Sequence, residues 1–129
     1  MLVPPVYSIS KINKRKKHTE MKRYCQTLRL IDDPELISGY REAHAAVWPE
    51  IKAGMKEVGI LDMEIYQKGT ELFMIMETED WFDWERDNAR LSELPRQKEW
   101  EAYVSRFQEA DPSSPSHEKW HLMERIFKL

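Results

Sequence analysis

The sequence predicts an α+β fold of the ferredoxin-like type, with elements in the order β-α-β-β-α-β and an antiparallel sheet covered by helices on one face. Three observations support this prediction. Two apolar-rich runs flank a short glycine-containing connection, as in a β-hairpin; a strand pattern and a helical pattern precede this hairpin; and further helical patterns and a final apolar run follow it. The length of 129 residues suits one compact domain.

The first strand is predicted over residues 23–30, where Tyr24, Leu28 and Leu30 share one parity and Thr27 takes the other. This alternation is typical of a strand with one buried face. The first strand should therefore pack one side against the core.

A helix follows, beginning at the acidic cap and proline of residues 32–34 and ending near Gly59. Its apolar and aromatic positions recur at helical spacing: Leu36, Ile37, Tyr40, His44, Val47, Trp48 and Ile51. Pro49 lacks an amide hydrogen and crowds the turn before it. The helix should therefore kink or restart near Trp48.

The rest of the chain supplies the hairpin, a second helical region and a terminal strand. A turn-rich break at Asp111 and Pro112 separates the last helical stretch from the terminal strand. The predicted strands of the hairpin, the two helical stretches and the terminal strand are residues 60–67, 71–77, 81–90, 96–107 and about 119–128.

The third strand carries apolar residues on both faces, because Met74 and Met76 alternate with Phe73 and Ile75. Helices on one side of the sheet would leave the other side bare. We expect a second copy of the chain to cover it, in a homodimer of the dimeric α/β-barrel type. A small-molecule pocket is expected between the sheet and the first helix.

Composition limits the classes of function. Hydrophobic residues make up 41% of the chain and charged residues 33%, a globular balance with no apolar run of transmembrane length. The single cysteine, Cys25, is interpreted as a buried structural thiol, and it suits a reducing, cytoplasmic location. The net charge of −3 includes a basic cluster near the start, so the rest of the chain is more acidic still and should repel nucleic acid.

Residues 1–20 are interpreted as a disordered N-terminal extension, and residues 21–129 as the functional domain. The extension contains the basic run of residues 14–17, which is also compatible with a nucleic-acid or nuclear-targeting patch. Its apolar part is short, broken by prolines and followed rather than preceded by basic residues, which argues against a signal peptide. Met21 is a candidate for the biological start.

Tyr40, His44 and Trp48 are spaced four residues apart, so they should form one stripe on the first helix. An imidazole exchanges protons near neutral pH, and aromatic rings offer an apolar surface to the C–H face of a sugar. The stripe alone favours the other interpretation, a core histidine packed among aromatic residues.

The same segment resembles a known family signature, Y-x3-H-x3-W-P-E-(I/L), which is that of the L-rhamnose mutarotases. The chain matches it with Tyr40, His44, Trp48, Pro49, Glu50 and Ile51. The similarity extends over residues 21–129 through Gly59, Tyr66, the run LFMIMETED, Trp100, Tyr103, Asp111, Pro112 and the ending Glu124-Arg-Ile-Phe127. The resemblance implies a sugar isomerase that interconverts the α and β anomers of a 6-deoxy-L-hexose, L-rhamnose or L-fucose, without a cofactor.

The resemblance also implies the site residues. His44 corresponds to the proposed general acid/base of the family, and Tyr40 to a residue of the sugar site that also orients or relays a proton. Trp100 aligns with a substrate-contacting tryptophan. Met63 stands where the family has a tyrosine, and because methionine cannot hydrogen-bond like a phenol, the identity of the sugar is open.

A second motif is typical of a different function, that of a zinc protease. His117-Glu-Lys-Trp-His121 satisfies the H-E-x-x-H pattern of zinc proteases. A third ligand is missing, because Phe127 stands six residues after His121, where a third histidine would be expected. The terminal strand should place both histidines on one sheet face, too far apart to form a compact helical pair. We therefore expect no metal.

Two other functions remain compatible with the predicted fold. One is a cofactor-free or haem-related monooxygenase of the dimeric α/β-barrel type, which would also use a histidine and an aromatic pocket. The other is a non-catalytic sugar-binding module.

Overall fold

The computed structural model describes residues 21–129. The predicted N-terminal extension, residues 1–20, lies outside the described residues. Along the described chain the elements are β1 (Lys22–Arg29), α1 (Pro34–Ala45), α2 (Pro49–Glu57), β2 (Ile60–Lys68), β3 (Glu71–Thr78), α3 (Trp84–Glu93), α4 (Gln97–Ser105), α5 (Ser116–Lys119) and β4 (His121–Met123).

The four strands form one antiparallel sheet in the order β2-β3-β1-β4, which confirms the predicted ferredoxin-like fold. In the central pair, Gln26 lies opposite Met74 and Leu28 lies opposite Leu72. All four side chains are buried beneath the helices. Gly69 occupies the β2–β3 turn with φ of +60°, a conformation that glycine adopts without strain.

The first predicted helix is two helices. Asp33 caps α1, and its Oδ1 accepts hydrogen bonds from the amides of Glu35 and Leu36 at 2.9 and 3.2 Å. The chain leaves the helix after Ala45 and restarts at Pro49, which takes the first position of α2, where a missing amide hydrogen costs nothing. The predicted restart near Trp48 is therefore confirmed.

A glycine two residues after the end of α2 cannot be replaced by another residue without strain. Gly59 has φ of +96°, and a side-chain carbon there would collide with the indole of Trp81. The buried amide of Gln97 then joins α2 to α4, because its Nε2 donates to the carbonyl oxygen of Ile51 at 3.3 Å. These contacts hold the two helices together on one face of the sheet.

The helix α3 begins later than residue 81, because Asp83 forms its N-cap and accepts from the amide of Arg86 at 2.8 Å.

A second aspartate, Asp87, is fully buried and receives four hydrogen bonds. These come from the Asp83 amide, twice from the Arg86 guanidinium and once from that of Arg90, at 2.7 to 3.3 Å. The arginines hold the pKa of Asp87 well below its ordinary range.

The end of the chain differs from the predicted long strand. Residues 116–119 form the helical turn α5, and β4 covers only three residues, which pair with β1. Ile126, Phe127 and Leu129 are all strongly exposed, so nothing among the described residues supplies the partner that a longer strand needs. Alternating apolar residues therefore did not suffice to extend the strand.

The opposite face of the sheet has no helix among residues 21–129. Phe73, Ile75, Cys25 and Thr27 lie half-buried on it. Cys25 is thus not the fully buried thiol that was expected, because its parity in β1 turns it away from the helices.

No helix in the described part of the chain is long and apolar enough to cross a bilayer.

Candidate active site

A cavity of about 830 Å³ lies between the sheet and the helices, on the covered face. Its wall includes all four predicted site residues: Tyr40 and His44 from α1, Met63 from β2 and Trp100 from α4. The pocket expected between the sheet and the first helix is therefore present. It is large enough for a monosaccharide.

His44 is held in one tautomer. Its Nδ1 lies 2.9 Å from the carbonyl oxygen of Tyr40, one helical turn earlier. A carbonyl oxygen only accepts, so Nδ1 carries the hydrogen and, in the neutral ring, Nε2 is the basic nitrogen. No group among the described residues is hydrogen-bonded to Nε2.

Burial lowers the pKa of His44 below its ordinary value of 6.5, although the bond to Tyr40 and the charge of Glu101 act in the opposite direction. The imidazole is therefore mainly neutral at pH 7. A neutral ring with a free Nε2 is chemically able to accept a proton from a bound molecule.

Tyr40 is buried, and burial raises the pKa of its phenol far above 10. The hydroxyl therefore stays protonated. Its ring lies 4.2 Å from the His44 ring, centroid to centroid, at an interplanar angle of 33°. Tyr40 is thus suited to donating a hydrogen bond and orienting a ligand, and poorly suited to giving up a proton.

Trp100 and Trp48 continue the aromatic wall behind His44. The Trp100 ring lies 5.4 Å from His44 and 5.1 Å from Trp48, edge to face in both cases. Trp48 lies beyond the end of α1 and is the N-cap residue of α2. The prediction that Trp48 continues the stripe of Tyr40 and His44 on one helix is therefore wrong. The guanidinium of Arg96 sits 4.1 Å above the Trp48 ring and fixes it from outside.

The sheet supplies the apolar side of the cavity. Met63 lies opposite Met76 in the β2–β3 pair, and both line the cavity with Ile65 and Met74. Methionine and isoleucine side chains offer no strong hydrogen bond, so this side fits a methyl group or a C–H face.

Two buried amides were missed by the sequence analysis. Gln26 projects from β1 into the cavity, with its Nε2 3.3 Å from the sulfur of Met74. Gln108 follows α4 and is 5% exposed, and its Oε1 is a buried oxygen without a partner among the described residues. A buried unpaired carbonyl is costly, so this oxygen is available to accept from a ligand hydroxyl. Gln26 was detectable as a polar residue at an apolar position of β1; Gln108 has no periodic pattern around it.

The H-E-x-x-H motif is divided between two elements. His117 lies in α5, where its Nε2 is 3.2 Å from the Glu85 carboxylate, and His121 begins β4. The expectation that both histidines share a sheet face is therefore wrong, because the chain turns through α5 between them. Residues 21–129 contain no cluster of three potential metal-binding side chains.

The chain was compared with known proteins. The model of the L-rhamnose mutarotase family matches residues 23–129. An L-fucose mutarotase of Xanthomonas campestris pv. campestris is 40% identical over 111 residues, which cover 84% of this chain and 89% of that protein. An L-rhamnose mutarotase of Sinorhizobium fredii is 30% identical over 90 residues, 66% of this chain and 78% of that protein.

A solved structure supports the fold. The crystal structure of L-rhamnose mutarotase FA22100 from Formosa agariphila superposes with a TM-score of 0.63 at 19% identity, covering 84% of this chain and 98% of that one. None of these proteins is named as an oxygenase, so the alternative of a monooxygenase is not favoured. The family match spans every described element from β1 to the end of the chain, and the chain belongs to the L-rhamnose mutarotase family of isomerases.

Proposed function

We propose that the protein interconverts the α and β anomers of a 6-deoxy-L-hexose, with L-fucose preferred to L-rhamnose. The observation that carries this proposal is His44, a neutral imidazole with a free Nε2 in the wall of a monosaccharide-sized cavity. The Met and Ile side of the cavity suits the methyl group of a 6-deoxy sugar. The amides of Gln26 and Gln108 suit its ring hydroxyls.

His44 acts as the general base in ring opening. Nε2 takes the proton of the anomeric hydroxyl, a C1=O1 carbonyl forms, and the C1–O5 bond breaks with its electron pair passing to O5. After rotation about C1–C2, O5 adds to the other face of the carbonyl and the imidazolium returns its proton to O1. Tyr40 orients the sugar through its hydroxyl.

One observation supports L-fucose. The relative that is 40% identical is named an L-fucose mutarotase, whereas the relative named an L-rhamnose mutarotase is 30% identical. Met63 stands where the family resemblance places a tyrosine, so the contacts that select the sugar differ at this position. L-fucose and L-rhamnose differ in configuration at C2 and C4, so a single hydrogen-bonding residue is able to discriminate between them.

Polarimetry tests the activity. Pure α-L-fucose dissolved with catalytic amounts of the protein should reach its equilibrium rotation faster than in buffer alone, and L-rhamnose should respond less. An unchanged first-order rate for both sugars would exclude mutarotation of 6-deoxyhexoses.

Met63→Tyr should change the sugar preference. The new phenol places a donor in the apolar wall, so the ratio of kcat/KM for L-fucose to that for L-rhamnose should fall about tenfold. The matched control is Met63→Phe, which adds the ring without the hydroxyl and should leave the ratio closer to that of the wild type. An equal change in both variants would mean that bulk, rather than hydrogen bonding, sets the preference.

We also propose that the protein forms a homodimer in which the open sheet faces of the two copies pack together. We place it in a reducing compartment such as the cytoplasm, which suits the lone Cys25. Phe73 and Ile75 form the apolar centre of that face. Ile75→Arg should shift sedimentation from dimer to monomer, since it buries an unpaired charge. Glu42→Arg makes a charge change on the exposed side of α1 and should leave the dimer intact. A monomeric wild type would contradict this assembly.

A further inference from the structure

An ion pair with a buried ammonium group and a partly exposed carboxylate lies in the wall of the same cavity as His44. Lys119, at the end of α5, is 3% exposed, and its Nζ lies 3.2 Å from Oε1 of Glu101 on α4. Both residues line the cavity. The Ser105 hydroxyl also accepts from the same ammonium group while donating to the Glu101 carbonyl oxygen at 2.7 Å. Lys119 is therefore fixed from two sides.

This arrangement has a desolvation cost that a purely structural contact would not need. Taking the Lys119 ammonium out of water is costly, although the Glu101 side chain stays 29% exposed, and an apolar residue of similar volume at position 119 would serve packing equally well. An ammonium group has three N–H bonds. Glu101 and Ser105 account for two of them, and among the described residues no group accepts the third.

The reaction needs a group of this kind. Ring opening with a base alone would leave an alkoxide on O5, so an acid must protonate O5 as the C1–O5 bond breaks. His44 enters the reaction as a base, because its Nδ1 hydrogen is committed to the Tyr40 carbonyl. Tyr40 holds its proton too tightly to exchange it readily. Neither of these two residues is therefore suited to be the acid, and another proton donor in the cavity wall would supply it.

We propose that Lys119, positioned by Glu101 and Ser105, is the catalytic acid that acts together with His44. This inference rests on the proposed function. One N–H proton of Lys119 moves to O5 as the C1–O5 electron pair passes to O5, while Nε2 of His44 accepts the O1 proton. The open aldehyde then faces a neutral amine and an imidazolium. On closure O5–H returns its proton to Lys119 and the imidazolium returns its proton to O1, so both groups are restored.

The test uses a variant that removes both charges, so that no unpaired ion is left buried. Lys119→Met/Glu101→Gln should stay folded and bind L-fucose, as measured by a thermal shift, while kcat for anomer exchange falls about 100-fold. Lys119→Arg is the second variant. It keeps the ion pair, but its guanidinium does not release a proton, so it should show a similar loss. The exposed pair Arg29→Met/Glu71→Gln should keep the wild-type rate.

The outcomes separate the two proposals. A wild type without activity on either sugar contradicts the proposed function itself. An active wild type overturns the inference if either Lys119 variant exchanges anomers at a kcat within about threefold of the wild type. A raised KM with unchanged kcat also overturns it, because the pair would then only bind the sugar.

Discussion

His44→Ala should lower the enzyme-catalysed rate of L-fucose anomer exchange about 1,000-fold, with little change in sugar affinity. The loss is large because Nε2 is the proposed base in ring opening, while the amides and aromatic residues of the cavity wall, which we propose bind the sugar, remain in place. Exchange spectroscopy by NMR measures the rate on an equilibrated sugar. His121→Ala, an exposed histidine in β4 outside the cavity wall, is the matched control and should keep full activity.

The pH dependence of the wild type follows from the same residue. Burial lowers the pKa of His44, so its basic form persists below pH 6.5. The value of kcat/KM for the free enzyme should therefore fall in acid as the imidazole takes up a proton, with the midpoint of the fall below pH 6.5. A midpoint above pH 6.5 would contradict a neutral, buried base.

Asp87→Ala should lower the free energy of unfolding by about 3 kcal/mol. Asp87 is fully buried, and its loss leaves the amide of Asp83 and the guanidinium groups of Arg86 and Arg90 without their shared acceptor. The start of α3 should loosen as a result. Urea unfolding measures the change, and Glu93→Ala, which breaks an exposed pair with Lys98, should cost less than about 1 kcal/mol.

The stabilisation by Asp87 should also depend on pH in a defined direction. Its pKa in the folded protein lies below the ordinary value of 3.8, so the folded state favours the charged form. The contribution is therefore complete above about pH 5 and is lost as pH falls through the lowered pKa. The difference in unfolding free energy between wild type and Asp87→Asn should be constant from pH 7 to 5 and shrink below pH 4. A difference that grows in acid would exclude this account.

Local sequence patterns were sufficient to predict most of the fold. The alternation in β1 and β3, the turn at Gly69 and the proline at 49 each act over a few residues, and the structure has the strands, the hairpin and the helix restart that they predict. The chain end was predicted poorly because β4 depends on a partner rather than on its own pattern. Only three of its residues pair with β1.

The site was predictable only in part. Tyr40 and His44 stand one turn apart on a helix, so spacing alone brings them together. Lys119 and Gln108 reach the same cavity from segments without helical or strand periodicity. A pattern over a few residues therefore cannot predict that they line it. Their contribution depends on how α4, α5 and the sheet pack, which is a tertiary property.

The central claim is that a neutral His44, protonated on Nδ1, meets the sugar through Nε2. Nitrogen NMR of the labelled imidazole tests it most directly, with L-fucose added in steps. The account predicts an Nδ1–H tautomer, a pKa below 6.5 and a change in the Nε2 resonance as L-fucose binds. An Nε2–H tautomer, or an imidazole that does not respond to saturating L-fucose, would contradict it.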